Sequence, residues 1–133
     1  MANILLVDDE ALVVETLSNA MKNKGHSVVT ASNGIEGLKR FGEGDCNLVI
    51  TDIVMPDMDG MAMIMEIRHS APAAKIIAIS GGGRSGNVEF LKMAAKLGAM
   101  ATLRKPIRLA EFFKTLDECL SERHGTAMAV LQS

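Results

Sequence analysis

The sequence predicts an α/β fold: one doubly wound parallel sheet of five strands alternating with five helices. Three observations predict it. The 133 residues are 48% hydrophobic and 23% charged, which supplies a real core and excludes disorder. Short apolar runs without polar alternation recur along the chain, as in strands covered on both faces. Between them lie amphipathic stretches long enough to serve as helical crossovers.

The elements follow in order. Asn3–Val7 reads as a buried first strand. The next helix spans Ala11–Lys24, with Val13, Leu17, Ala20 and Met21 at helical spacing and Gly25 as its stop. Ser27–Ala31 is the second strand, and Gly34–Phe41 a short helix with Ile35, Leu38 and Phe41 on one side. Asn47–Thr51 is the third strand, followed by a Met-rich helix over Gly60–Ser70 and the break Ala71-Pro72. Lys75–Ile79 is the fourth strand, and Asn87–Leu97 a helix closed by Gly98. A weaker fifth strand covers Met100–Leu103. The last helix, Ile107–Arg123, turns Leu109, Phe112, Phe113, Leu116 and Leu120 inward. Residues 1–123 are expected to form a single domain, and residues 124–133 a tail with no output domain.

Composition narrows the function. Fourteen basic against sixteen acidic residues leave a net charge of −2, without the basic excess of a nucleic-acid domain. Trp and Tyr are absent, which argues against base-stacking platforms. No apolar run reaches a membrane span and the first ten residues lack a basic signal start, so a cytoplasmic location away from membranes is expected. Cys46 and Cys119 fit neither a metal knuckle nor a disulfide framework and read as inert. His26, His69 and His124 are scattered and read as surface residues.

In open parallel sheets, ligands gather at the carboxyl ends of the strands. The residues there are Asp8-Asp9 after the first strand, Asp52 after the third, Ser80 and a glycine run after the fourth, and Arg104-Lys105-Pro106 after the fifth. Any one of these acids could simply cap a helix. Together they form three carboxylates, a hydroxyl and a cation on one edge. Two carboxylates ~4 Å apart repel by about 4 kcal/mol at an effective dielectric near 20. Lys105 supplies one counter-charge, and Mg²⁺, which favours oxygen ligands, suits the rest. A carboxylate placed beside Mg²⁺ and a lysine can attack phosphorus. Asp52 is central in the strand order and reads as the nucleophile; Asp8 and Asp9 read as metal carriers. The acyl phosphate formed can serve as a signal, because it adds roughly 1.5–2 negative charges.

Ile4-Leu-Leu-Val-Asp8-Asp9-Glu10, Asp52-Ile-Val-Met55-Pro56-Asp-Met-Asp59-Gly60, Ser80 and Lys105-Pro106 together resemble the receiver domain of bacterial two-component response regulators. The similarity runs from Asn3 to about Glu122. It implies a flavodoxin-like (βα)5 fold with strand order 2-1-3-4-5. It implies that Asp52 accepts a phosphoryl group from a sensor histidine kinase or phosphotransfer protein. Mg²⁺ would be bound by Asp9, Asp52 and the backbone carbonyl of Val54, with Asp8 holding a metal-bound water or the metal. Lys105 would contact the phosphoryl group, Ser80 would act as the switch hydroxyl, and Pro106 would follow Lys105 through a cis peptide. The output would be contact with another protein. That contact is expected on the face of the fourth helix, fifth strand and fifth helix, where Lys92, Lys96, Arg104, Arg108 and Lys114 cluster.

Two features depart from the family pattern. Thr102 stands where an aromatic ring usually follows the switch hydroxyl, and the run Gly81–Gly86 is richer in glycine than usual. The loop is expected to replace the ring as the mobile element. Val54 and Gly82, at the positions that tune phosphoryl lifetime, carry nothing to orient a water, so a long-lived phosphoryl form is expected. Two other readings compete with this one: an unphosphorylated docking module, and a phosphatase using Asp52 in turnover. The phosphatase pattern places its nucleophile after the first strand with an Asp two residues on, where this chain has Glu10. The run 81–86 also fits G-x-G-x-x-G, but no acid follows at the next strand end. Residues 55–66 mimic a calcium loop, but Met55 would be its first ligand. The Met-rich segment around Met61, Met63 and Met65 reads as core filling rather than a binding face.

Overall fold

The structure is a computed structural model and describes residues 2–53, 60–81 and 92–121. Five strands form one parallel sheet: β1 (Asn3–Val7), β2 (Ser27–Ala31), β3 (Leu48–Asp52), β4 (Ile76–Ser80) and β5 (Ala101–Arg104). Their order is β2-β1-β3-β4-β5, as the resemblance implied. The helices are α1 (Ala11–Asn23), α2 (Gly34–Glu43), α3 (Gly60–Ser70), α4 (helical over 92–96 among the described residues) and α5 (Leu109–Leu120).

Strand side chains alternate between faces, and this alternation builds two cores. Leu5, Val7, Val49, Ile76 and Ala78 point to the face covered by α2, α3 and α4, where they pack with Met63, Ile64, Ile67 and Ala94. Ile4, Leu6, Ile50, Ile77 and Ile79 point to the opposite face and pack with Leu17, Met21, Phe112 and Leu116 of α1 and α5. Because both faces are covered, the inner strands carry no polar alternation. β2 is an edge strand, and its Val29 is exposed.

Four sequence-based expectations shift in detail. Asp52 and Ser80 are the last residues of β3 and β4 rather than the first beyond them, because the ladder continues through the pairs Asp52–Ile79 and Ser80–Arg104. Ile35 and Leu109 are exposed rather than inward. Both sit in the first turn of their helix, past the strand ends, where the sheet offers nothing to cover them. The last helix runs Leu109–Leu120 rather than Ile107–Arg123, because Arg108 is extended (φ −92°, ψ 130°). Of the methionines, Met21, Met61 and Met63 are buried, whereas Met65 and Met93 are exposed.

Local chemistry fixes the ends. Gly25 and Gly98, with φ of +96° and +101°, take the left-handed conformation that stops α1 and α4. Asn33 caps α2 through the Glu36 amide at 2.8 Å, while Glu36 accepts from Ser32. At the amino edge of the sheet, two cations hold helix C-termini. Arg68 of α3 donates to the carbonyls of Leu97 and Gly98 beyond α4 (3.3 and 3.0 Å), and Lys75 donates to those of Cys119 and Leu120 at the end of α5 (3.1 and 3.4 Å).

The carboxyl edge is tied at α3. The Gly60 amide donates to the Ile53 carbonyl at 3.2 Å. A Cβ on Gly60 would collide with the Asp52 carbonyl and lie 2.6 Å from Ile53 Cα. These are backbone atoms and cannot yield cheaply. Gly60→Ala is therefore expected to destabilise the protein by about 3 kcal/mol in denaturant unfolding. Gly42→Ala, in the exposed end of α2 with nothing within 4 Å of a new Cβ, should instead stabilise by about 0.5 kcal/mol.

Candidate phosphoacceptor and cation site

The parallel register brings the ends of β1, β3, β4 and β5 to one edge. Asp8 follows β1, and its amide donates to the Ala31 carbonyl at 3.1 Å. Its Oδ1 accepts the Glu10 amide at 2.9 Å, a turn that leads into α1. Asp52 and Ser80 end neighbouring strands, and the Lys105 amide donates to the Ser80 carbonyl at 2.8 Å. The Lys105–Pro106 peptide is cis, as the resemblance implied.

Lys105 is the hub. Its Nζ lies 3.0 Å from Asp8 Oδ2 and 3.1 Å from Asp52 Oδ2, and it also donates to Glu10 Oε1. The Asp8 and Asp52 carboxylates are buried, whereas the Glu10 side chain is 58% exposed. Asp8 Oδ2 has no well-aligned hydrogen bond, so its charge is met by the ion pair with Lys105. Ser80 is buried, and its hydroxyl donates to the Gly81 carbonyl at 3.2 Å. Thr102 is exposed on β5, and Asp9 is exposed just after β1. Val54 and residues 82–86 of the glycine run lie outside the described residues.

Burial pulls the charged groups in different directions. It pushes the Asp8 carboxyl up to about 6, against the opposing help of the Glu10 amide and Lys105. Burial alone would lower the Lys105 ammonium. Its close contacts with Glu10, Asp8 and Asp52, all acidic, outweigh that, and it is held above its usual range. Burial likewise raises the half-buried Cys46 thiol away from reactivity, and Cys119 is buried.

The residues present fit a divalent cation. Asp8, Glu10 and Asp52 each offer a carboxylate oxygen, all within 4.8 Å of one another. All are hard oxygen donors, and one of them is buried without a well-aligned hydrogen bond. Asp8, Asp52 and Lys105, which the sequence puts at strand ends, are brought together here. Sequence reasoning missed Glu10 as a member of the group; its only signal was a third acid next to Asp8-Asp9. Asp9 is not in the described group of three. A groove of about 690 Å³ opens beside Lys105, walled by Glu10, Leu12, Val13, Ile107 and Leu109. The exposed Leu109 forms part of its wall.

A pH dependence follows from Asp8. A carboxyl raised in the folded state favours folding below its ordinary value near 4, and that contribution is lost as pH rises through about 6. Asp8→Asn keeps the shape without the charge. In chelator-treated protein it should stabilise by about 2 kcal/mol at pH 8 and by close to nothing at pH 4, read by unfolding at both pH values.

Among the described residues no helix is long and apolar enough to cross a membrane. The family model for the response regulator receiver domain matches residues 4–117. The chain is 31% identical over 121 residues to the transcriptional regulatory protein GlrR of Escherichia coli, covering 91% of this chain and 27% of that protein. It is 33% identical over 119 residues to the chemotaxis protein CheY of Listeria monocytogenes, covering 89% of this chain and 98% of that protein. The chain thus spans about a quarter of the length of the curated regulatory relative and nearly all of the chemotaxis one. A receiver domain from Clostridium thermocellum superposes with a TM-score of 0.85 at 30% identity, covering 93% of this chain and 98% of that one. A CheY-like receiver from Methanospirillum hungatei gives 0.84 at 25% identity, covering 95% and 98%. By motif, fold and family match, the chain belongs to the response regulator receiver domains of two-component systems.

Proposed function

We propose that Asp52 accepts a phosphoryl group from a phosphohistidine on a sensor kinase or phosphotransfer protein, in a Mg²⁺-dependent reaction. The observation that carries this reading is the buried Asp52 carboxylate, 3.1 Å from the ammonium of Lys105 and grouped with Asp8 and Glu10. An Asp52 oxygen attacks phosphorus in line with the P–N bond of the donor. As that bond breaks, its electron pair returns to the imidazole nitrogen. Lys105 holds a phosphoryl oxygen, and Asp52 is left as an acyl phosphate. Mg²⁺ held by Asp8, Asp9, Asp52 and the Val54 carbonyl would neutralise the incoming phosphoryl charge. Burial keeps bulk water from Asp52.

The domain, residues 1–123, is a signalling module rather than a turnover enzyme, and its output is contact with another protein. For the output surface, the exposed Lys92, Lys96, Arg104, Arg108 and Lys114 support the face of α4, β5 and α5. Ser80 is the switch hydroxyl in this reading. Thr102, exposed on β5, stands in the usual ring position.

The chain has no Trp or Tyr, so phosphorylation is followed by radiolabel or intact mass rather than indole fluorescence. With acetyl phosphate and Mg²⁺ the wild type should retain one base-labile phosphoryl group per chain. Asp52→Asn and chelation should each abolish the label, and Lys105→Ala should reduce it at least tenfold, since its charged hydrogen bonds carry about 1.5–3 kcal/mol each. Release of many phosphates per chain would indicate a phosphatase, and no label on the wild type a docking module.

A further inference from the structure

We propose that Glu10 is a positioning residue that occupies Lys105 in the resting state and must leave it before a phosphoryl group can bind, restricting access by small anionic donors. The inference rests on the phosphoacceptor reading above.

An ammonium has three protons. Three carboxylate oxygens surround Lys105 Nζ: Asp8 Oδ2, Asp52 Oδ2 and Glu10 Oε1. Two of the three are hydrogen-bonded to it, and a phosphoryl oxygen arriving at this nitrogen competes with the carboxylate that can most readily give way. Asp8 cannot leave: its side chain has no exposure and its other oxygen is committed to the Glu10 amide. Asp52, whose side chain is 6% exposed, is the acceptor itself. In the cation-free resting state, moving either carboxylate off the ammonium would strand a buried charge. Glu10 is more than half exposed, and water takes up its charge when it swings out.

The backbone supports this assignment. Glu10 is the N-cap residue of α1, with an extended backbone (φ −90°, ψ 107°), and its side chain makes no capping bond. The side chain is therefore directed to Lys105 rather than to its own helix. Its carboxylate occupies the lysine much as a phosphoryl oxygen would. Glu10 and Lys105 also share the wall of the groove beside the site. A protein donor seated in that groove brings contact energy that offsets displacement of Glu10. A free acyl phosphate has no such contacts.

The test uses the full chain, acetyl phosphate and Mg²⁺, with calorimetric titration of Mg²⁺ alone as a second readout. Glu10→Gln and Glu10→Ala should take up label about two- to five-fold faster than wild type, the worth of an exposed ion pair. Glu15→Gln, which removes the same charge from the exposed side of α1, should label at the wild-type rate. Because Glu10 belongs to the carboxylate group that fits a cation, Mg²⁺ affinity is measured in both Glu10 variants, and faster labelling despite a modest loss of Mg²⁺ affinity supports displacement from Lys105. Labelling that is unchanged or slower in the Glu10 variants overturns the inference while leaving Asp52 as acceptor. Faster labelling in Glu15→Gln as well reduces the effect to net charge and overturns it too. A tenfold loss of Mg²⁺ affinity would make Glu10 a metal ligand instead. Failure of the wild type to label at all removes the phosphoacceptor reading and this inference with it.

Discussion

Three acidic side chains from two neighbouring strand ends converge on a single ammonium, and much of the molecule serves to make that convergence possible. Like charges at such separations repel strongly where water is scarce. Asp8 and Asp52 come from β1 and β3, which are hydrogen-bonded neighbours, and Lys105 arrives from beyond β5 on the same edge. Only a parallel sheet delivers all of them together, because every strand then ends on the same side. The two apolar layers that cover the sheet exclude solvent from the inner strands. They also make the charges at its edge consequential.

Among the described residues the site carries a negative excess: three carboxylates face one lysine. Burial acts on the two signs unequally. It leaves Asp8 poorly suited to carrying charge, while the surrounding acids hold Lys105 firmly protonated. A centre built this way is short of positive charge. That deficit is what suits the carboxylate group to a hard cation.

Much of this was legible in the sequence. Uninterrupted apolar runs such as Ile76–Ile79 identify inner strands, and the rule that ligands gather at carboxyl ends then isolates Asp8, Asp52, Ser80 and Lys105 without reference to any family. Other features were hidden for identifiable reasons. Periodicity assigns a residue to a helix face but not to a height along it, so Leu109 and Ile35 read as core although they overhang the sheet. The partnership of Glu10 with Lys105 joins positions 95 residues apart. Nothing local distinguishes Glu10 from an ordinary acid at a helix start. Asp9 shows the converse: an acid prominent in the motif whose side chain is exposed outside the described group.

The cations at the other end of the sheet have a mechanical consequence. Arg68 fastens the end of α4 to α3, and Lys75 fastens the end of α5 to the start of β4. Both clamps grip carbonyls on the side remote from the acids. Two helices on opposite faces are thereby anchored at their feet. Rearrangement provoked by new charge at the acidic rim would be expressed as tilting about these anchors, with the largest travel at the helix ends nearest the rim. An input confined to a few atoms would then be read out as a change of surface shape on the same side of the molecule.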